Sequence, residues 1–310
     1  MRFGGTGAQQ TQARALIRAL SAVLCEDLTK ALQESKAPLF RIDLKDGFRE
    51  RRGRSRPLRR RSDEEARAIK EFIETMVSAG MIEQCSVPQA ADLVLVRQKA
   101  KKKIRICVDF RELNSGTIVD QYPQACADEI LSSFNGCKYF STLDATSGYW
   151  QVEEASRFLT AFRTKYGTYM WKRLPFGLVN APAHYNRWME QVLEGLPVFR
   201  YVDDIIIATA TWEEHMKVLE QVLRRCKEHG VKLKASKCHI GKGEVEVLGH
   251  VVNSQGIRPV RKKISAILDM PAPTTAKELK TFIGCVSSTG GTALICQQLQ
   301  ARCEHCSRRE

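Results

Sequence analysis

The run Tyr201-Val202-Asp203-Asp204 lies between two β-rich runs, VFR and IIIAT. Two-residue hairpin turns favour Asn-Gly or Asp-Gly, because both central positions take positive φ. Two adjacent aspartates serve such a turn badly, and their carboxylates repel one another, a repulsion that a bound divalent cation reverses. The bland alternative is an acidic surface turn. A third acid, Asp144, closes the strand-like run YFSTLD. Phosphoryl transfer to a growing nucleic-acid strand commonly uses two magnesium ions about 3.5–4 Å apart, one activating the attacking hydroxyl and one holding the triphosphate. Such a pair needs several carboxylates from neighbouring strands, since magnesium prefers oxygen ligands in near-octahedral geometry. Asp144, Asp203 and Asp204 meet that requirement.

The elements that must hold these acids can be read from periodicity and punctuation. Ser62 and Glu65 form a capping box for a helix whose apolar face is Ala66, Ile69, Ile73, Met76 and Val77, with Gly80 as its stop. LVLV and IRICV flank the basic segment RQKAKKK and read as a hairpin with a positively charged tip. Phe158 to Trp171 reads as strand, a Lys165-Tyr166-Gly167 turn, and strand. After LPFGLVNAPA, a helix carries Tyr185, Trp188, Met189, Val192, Leu193 and Leu196 on one face, with Pro182 in its first turn. The runs around Asp203 are followed by a helix from about Glu213 to His229, acidic at its start, basic near its end and stopped by Gly230. EVEVLGHVV supplies further strands, and the pattern fades after Ile283. Near the start, Leu16, Ile17, Leu20, Val23 and Leu24 recur at helical spacing. Arg18 interrupts what a secretory signal would need, so a short surface helix is expected.

With 310 residues, 43% of them hydrophobic, the chain can fill a sizeable core. Its longest apolar runs, such as Ile205 to Ala208, fall far short of a membrane span. No repeat of fixed period appears. The cysteines number eleven, an odd count without a regular interval, which argues against a disulfide framework and for a reducing compartment. In the tail, Cys296, Cys303, His305 and Cys306 come near the spacing of a metal knuckle, although no flanking scaffold accompanies them. The formal charge is +14, and half of it, +7, lies between positions 49 and 61, where eight arginines oppose Glu50. That tract is either a solvated connector, a phosphate-attracting arm or a nuclear address. The remaining charge favours a polyanionic partner.

KYFSTLDATSGYWQV, TAFRTKYGTYMWKRLPFGLVNAPAHYNRWM, YVDDIII and VEVLGHVVNSQGIRP resemble the successive motifs of gypsy-type LTR-retrotransposon reverse transcriptases, in their order and at similar separations. Plant pararetroviruses share much of this pattern. The resemblance covers about Phe40 to Gly284. It implies an α+β right-hand polymerase fold, with fingers, palm and thumb around an antiparallel palm sheet. It further implies RNA-directed DNA polymerase activity with two Mg2+ ions, for which Mn2+ substitutes. The partners would be an RNA or DNA template with its primer, and deoxynucleoside triphosphates. Asp144, Asp203 and Asp204 would be the metal ligands, joined by the carbonyl of Ala145. Tyr149, five residues after Asp144, would lie under the sugar of the incoming nucleotide, a packed palm aromatic being the alternative. Arg105 would contact the triphosphate; Arg97, Lys99 and Lys101 compete for the fingertip cation. Pro175, Phe176, Gly177, Asn180, Ala181 and Pro182 resemble the segment against the nascent base pair and template. Lys237 matches a lysine proposed as general acid; alone it would read as a solvated lysine. Tyr201, Leu248, Gly249 and His250 resemble the primer-facing residues, although a histidine there serves structure equally well.

The family continues into an aromatic-rich segment and an RNase H domain, whereas here FIGCVSS gives way to TGGTALICQQLQARCEHCSRRE. The expected organisation is a leader with the arginine tract (1–61), fingers and palm with the primer-grip strands (62–253), the start of a thumb or connection (254–284), and a divergent tail (285–310). The resemblance implies a cytoplasmic particle with a nuclear phase, not secretion. Against the active enzyme stands a second expectation, a catalytically silent nucleic-acid-binding relic.

Overall fold

The computed structural model describes residues 1–25, 36–48, 57–98, 103–123, 126–145, 154–201, 203–271, 273 and 275–287. Among them the strands are β1 (Arg2–Phe3), β2 (Ile82–Gln84), β3 (Leu93–Gln98), β4 (Lys103–Val108), β5 (Tyr139–Asp144), β6 (Phe162–Thr164), β7 (Gly167–Trp171), β8 (Phe199–Tyr201), β9 (Asp204–Thr209), β10 (His239–Lys242), β11 (Glu244–Val247), β12 (His250–Asn253) and β13 (Gly256–Pro259). The helices are α1 (Gly7–Ala19), α2 (Asp63–Ser78), α3 (Arg111–Gly116), α4 (Ala127–Ser132), α5 (Glu154–Arg157), α6 (Ala181–Val192), α7 (Trp212–Glu228), α8 (Arg261–Leu268) and α9 (Ala276–Ser287).

Five strands form the sheet that carries the acids, in the order β1-β10-β5-β9-β8. β5 and β9 run antiparallel from Tyr139↔Thr209 to Asp144↔Asp204. Alternation along these strands sorts their side chains to two faces. Leu143, Ile205 and Ile207 enter the main core with Leu219, Val222 and Leu223 of α7 and Met189 of α6. Phe140 and Ile206 point the other way, into a smaller cluster with Ile130, Phe134, Val245 and Val252. Both faces are therefore covered, which fixes the register, because a slip of one residue would send every side chain to the wrong cluster.

Two further units stand beside this sheet. β2, β7 and β6 form one small sheet and β3–β4 a hairpin paired from Leu93↔Val108 to Gln98↔Lys103. α2 closes over them, with Phe72 against Phe162 and Trp171. Its start is the expected capping box, Ser62 Oγ accepting from Glu65 N while Ser62 N donates to the Glu65 carboxylate. β11, β12 and β13 form a separate meander.

Several elements differ from the sequence reading. Val77 is 46% exposed rather than part of the buried face of α2, because the helix ends one residue later and its last turn overhangs the core. Phe158 to Thr160 is a 3-10 turn, so strand β6 begins only at Phe162; Thr164 pairs with Gly167, leaving Lys165-Tyr166 as the turn. Leu193 caps α6 and Leu196 lies beyond it. The N-terminal helix starts earlier than its apolar periodicity, at a capping box of Thr6 and Gln9, and it buries Ala13 and Ile17 instead of lying on the surface. Gln12 Oε1 accepts from Trp212 Nε1 at 2.7 Å, docking α1 on α7. Phe3 and Arg2 add β1 parallel to β10. Among the described residues no helix is long and apolar enough to cross a membrane. The tail knuckle and arginines 49 to 56 lie outside the described residues.

Candidate active site

The turn between β8 and β9 pairs Tyr201 with Asp204, so its central positions are Val202 and Asp203 rather than the two aspartates. Val202 lies outside the described residues, and Asp203 does not take positive φ. Asp204 instead opens β9, directly across from Asp144 at the end of β5. The backbone around the acids is tied on both sides: Ala145 N donates to Asp203 O and Lys234 N to Asp144 O, each at 2.9 Å. The three acids thus come from two strand ends held in register, with Asp203 in the connecting turn.

Their electrostatics reflect crowding. Asp203 is pushed up to about 6, first by burial and then by the charges of Asp144 and Asp204, with Lys237 opposing. Asp204 is raised by burial of its carboxyl and then by Asp144, although the residue as a whole keeps an exposed edge. Lys237 Nζ sits 2.7 Å from Asp144 Oδ2, and that hydrogen bond raises the lysine. Beneath the acids, Tyr185 is held well above the usual phenol range by burial and then by Asp203. Carboxylate oxygens that repel one another at a strand end are the donor set a hard divalent ion takes, and ion binding would relieve the repulsion. Among the described residues no three His, Cys, Asp or Glu side chains converge closely enough to hold a metal as they stand. In this arrangement the positive charge at Asp144 is the Lys237 ammonium.

Asp144 and Asp204 face a cavity of about 380 Å³, bordered also by Lys237, His239, Glu246, Leu248 and Arg2. Leu248 and Gly249 make the two-residue turn between β11 and β12, closed by the pair Val247↔His250. Their φ values are 53° and 76°, and a leucine in the left-handed region costs of order 1–2 kcal/mol. Leu248 is the one non-glycine with positive φ among the described residues. Strain of that kind collects at functional turns. His250 Nδ1 is buried with no hydrogen-bond partner.

The segment Pro175 to Pro182 is held by two asparagines that answer each other. Asn114 Nδ2 donates to Gly177 O at 2.7 Å and its Oδ1 accepts from Val179 N at 3.0 Å. Asn180 Nδ2 donates to Ile118 O at 2.7 Å and its Oδ1 accepts from Asp120 N at 3.0 Å. Asn180 is the N-cap position of α6, but its side chain serves this tether and makes no cap bond. Ala181 and Pro182 open the helix. Pro175 is buried, Gly177 takes φ 99°, and Phe176 between them is 58% exposed.

The structure brings together Asp144, Ala145, Asp203, Asp204, Lys237, Tyr201 and Leu248. Arg105 stands apart, exposed on β4 opposite Val96. Arg97 pairs with Glu64 at 3.3 Å. Tyr149, Lys99 and Lys101 lie outside the described residues. Sequence reasoning missed Asn114, Arg2 and, on α7, His215. His215 is fully buried, with Nε2 2.6 Å from Ser141 Oγ and Nδ1 2.9 Å from Thr209 Oγ1. Ser141 Oγ also accepts from Gly241 N, and Thr209 Oγ1 donates to Thr211 O. The network closes with one tautomer: Nδ1–H donates to Thr209, and Ser141 donates to Nε2. Neutral His215 thereby joins β5, β9, β10 and α7, and burial lowers its pKa to about 4.

The family described as reverse transcriptase (RNA-dependent DNA polymerase) matches residues 96–252. The retrovirus-related Pol polyprotein from transposon 297 of Drosophila melanogaster is 37% identical over 225 residues, covering 70% of this chain and 21% of the relative. That from transposon gypsy of the same organism is 35% identical over 188 residues, covering 59% of this chain and 18% of the relative. The chain thus spans about a fifth of the length of these curated relatives. Among solved structures, the foamy viral protease-reverse transcriptase in complex with RNA/DNA hybrid superposes with a TM-score of 0.77 at 22% identity, over 91% of this chain and 38% of that one. At that identity the likeness establishes the fold, the right hand of the polymerases.

Proposed function

The chain belongs to the reverse transcriptase family, and from that premise we propose that it is an RNA-directed DNA polymerase, extending a primer on an RNA or DNA template with deoxynucleoside triphosphates. The observation that carries the reading is the register pair Asp144↔Asp204, both bordering one cavity, with Asp203 crowded against them in the adjoining turn. The five-stranded sheet is taken as the palm, the units built on β2, β3, β4, β6 and β7 as the fingers, and residues 254–284 as the start of the thumb or connection.

Asp144, Asp203 and Asp204 would hold magnesium, with the Ala145 carbonyl beside them. Bound there, the ions would lower the pKa of the primer's 3′-hydroxyl and offset the triphosphate charge. The 3′-oxygen gives up its proton to solvent water and attacks the α-phosphorus, and the bond to the leaving pyrophosphate breaks. Lys237, whose ammonium hydrogen-bonds Asp144, would supply a proton to the leaving group. Arg105 would reach the triphosphate from the fingers. Phe176 offers an exposed aromatic face for stacking, and the two asparagine tethers fix the loop around it. Leu248, Gly249 and His250 would border the primer.

The test is primer extension by the purified protein on an RNA template with Mg2+ or Mn2+. Extension that depends on template, divalent metal and deoxynucleotides supports the proposal. Protein that binds primer–template tightly and adds no nucleotide would be the silent relic instead.

A further inference from the structure

β1 is the edge strand of the palm sheet, and Arg2 N donates to Cys238 O at 3.1 Å. Its cross-strand partner is His239; His239 pairs with Thr142, and Thr142 with Ile206. Residues paired across adjoining strands share a face, so Arg2, His239, Thr142 and Ile206 form one row across the sheet. Asp144 and Asp204 stand two residues further along on that same face. Strand spacing and rise put the α-carbons of Arg2 and Asp144 roughly 12 Å apart. Arg2 borders the same cavity as the acids and Leu248. It is exposed, and among the described residues no carboxylate pairs with it.

A nucleic-acid strand approaching three carboxylates meets repulsion between its own phosphates and those acids. A guanidinium in the adjoining wall offsets it, and its planar fork suits a phosphodiester better than a point charge does. The geometry points to Arg2 as a further phosphate-binding residue, carried into the wall of the cleft by the N-terminal strand to hold a backbone phosphate of the primer just upstream of its 3′-end. The primer strand is favoured over the incoming nucleotide because the cavity opens toward the Leu248 turn, whereas Arg105 and Phe176 do not border it. The inference rests on the polymerase reading and names one more contact of that site.

The experiment is binding of primer–template in EDTA, read by fluorescence anisotropy, with primers carrying one neutral methylphosphonate at each position near the 3′-end. For the wild type, one of these positions should weaken binding about five- to tenfold. Arg2→Gln should weaken binding to the unmodified primer by a similar factor, with a log K against log salt slope shallower by about 1. In that variant the same methylphosphonate should cost nothing further, while Arg2→Lys keeps most of the slope. Equal melting temperatures for the three proteins exclude a folding effect. A methylphosphonate penalty that persists undiminished at every position in Arg2→Gln overturns the inference. Wild-type protein that binds no primer–template overturns the polymerase reading and this inference with it.

Discussion

Lowering the pH should weaken the palm through His215, and the amount follows from its setting. The imidazole is buried neutral, with its pKa at about 4 against an ordinary 6.5, and burial is the cause. Protonating Nε2 would leave Ser141 facing a second donor, since Ser141 Oγ already accepts from Gly241 N. Because the folded value lies below the unfolded one, the unfolded chain binds more protons between pH 6.5 and about 4. The contribution is therefore whole above that window and is lost as pH falls through it. One pKa unit is worth about 1.4 kcal/mol, so the full loss is about 3 kcal/mol, and about 2 kcal/mol of it falls between pH 7 and 5. His215→Leu also forfeits two hydrogen bonds, costing about 2 kcal/mol at neutral pH. Urea unfolding of both proteins at pH 7, 6 and 5 isolates this one group. The stability gap between wild type and variant should narrow by about 2 kcal/mol over that range. A gap that stays constant would refute the assignment of a neutral, buried imidazole.

Gly4→Ala should destabilise the protein by about 1–3 kcal/mol in the same unfolding assay, since a Cβ there would meet the backbone of Gly241 and Lys242 where the chain leaves β1. Deleting residues 49 to 61 should make the salt dependence of primer–template binding shallower; an unchanged slope would reduce the tract to a connector or an address. Tyr149→Ala should keep deoxynucleotide incorporation and gain ribonucleotide incorporation, seen as a fall in the ratio of the two kcat/KM values. An unchanged ratio in a folded variant would return Tyr149 to a packing role.

What the sequence revealed was whatever rests on local chemistry. The capping box at Ser62, the hairpin LVLV–IRICV and the strand ending at Asp144 are each set by residues a few positions apart, and each formed as read. The acids were legible because two adjacent aspartates between apolar runs are a poor choice for folding alone. The turn around Asp203 was read one residue late, because pairing Asp204 with Tyr201 is decided by the register of the whole sheet. His215 gave no local signal: its partners Ser141 and Thr209 come from two different strands and Ser141 is held in turn by Gly241 of a third, so only the assembled palm makes a histidine on the α7 face a buried network. β1 escaped notice for the same reason, as two residues carry no periodicity and their partner strand lies near the other end of the described chain. Asn114 was passed over as an ordinary helix residue, though its amide holds the loop that presents Phe176.

The central claim is that Asp144, Asp203 and Asp204 form one metal-dependent catalytic centre. Its most direct measurement is single-nucleotide incorporation on an RNA template by wild type, Asp203→Asn and Asp144→Asn at saturating nucleotide and Mg2+, with primer–template affinity measured in parallel. Each substitution removes a ligand charge where the reaction occurs while leaving the backbone-positioning contacts in place. The rate should fall by at least about a hundredfold in both variants, with affinity changed only a few-fold. Near-normal incorporation by either variant would contradict the account.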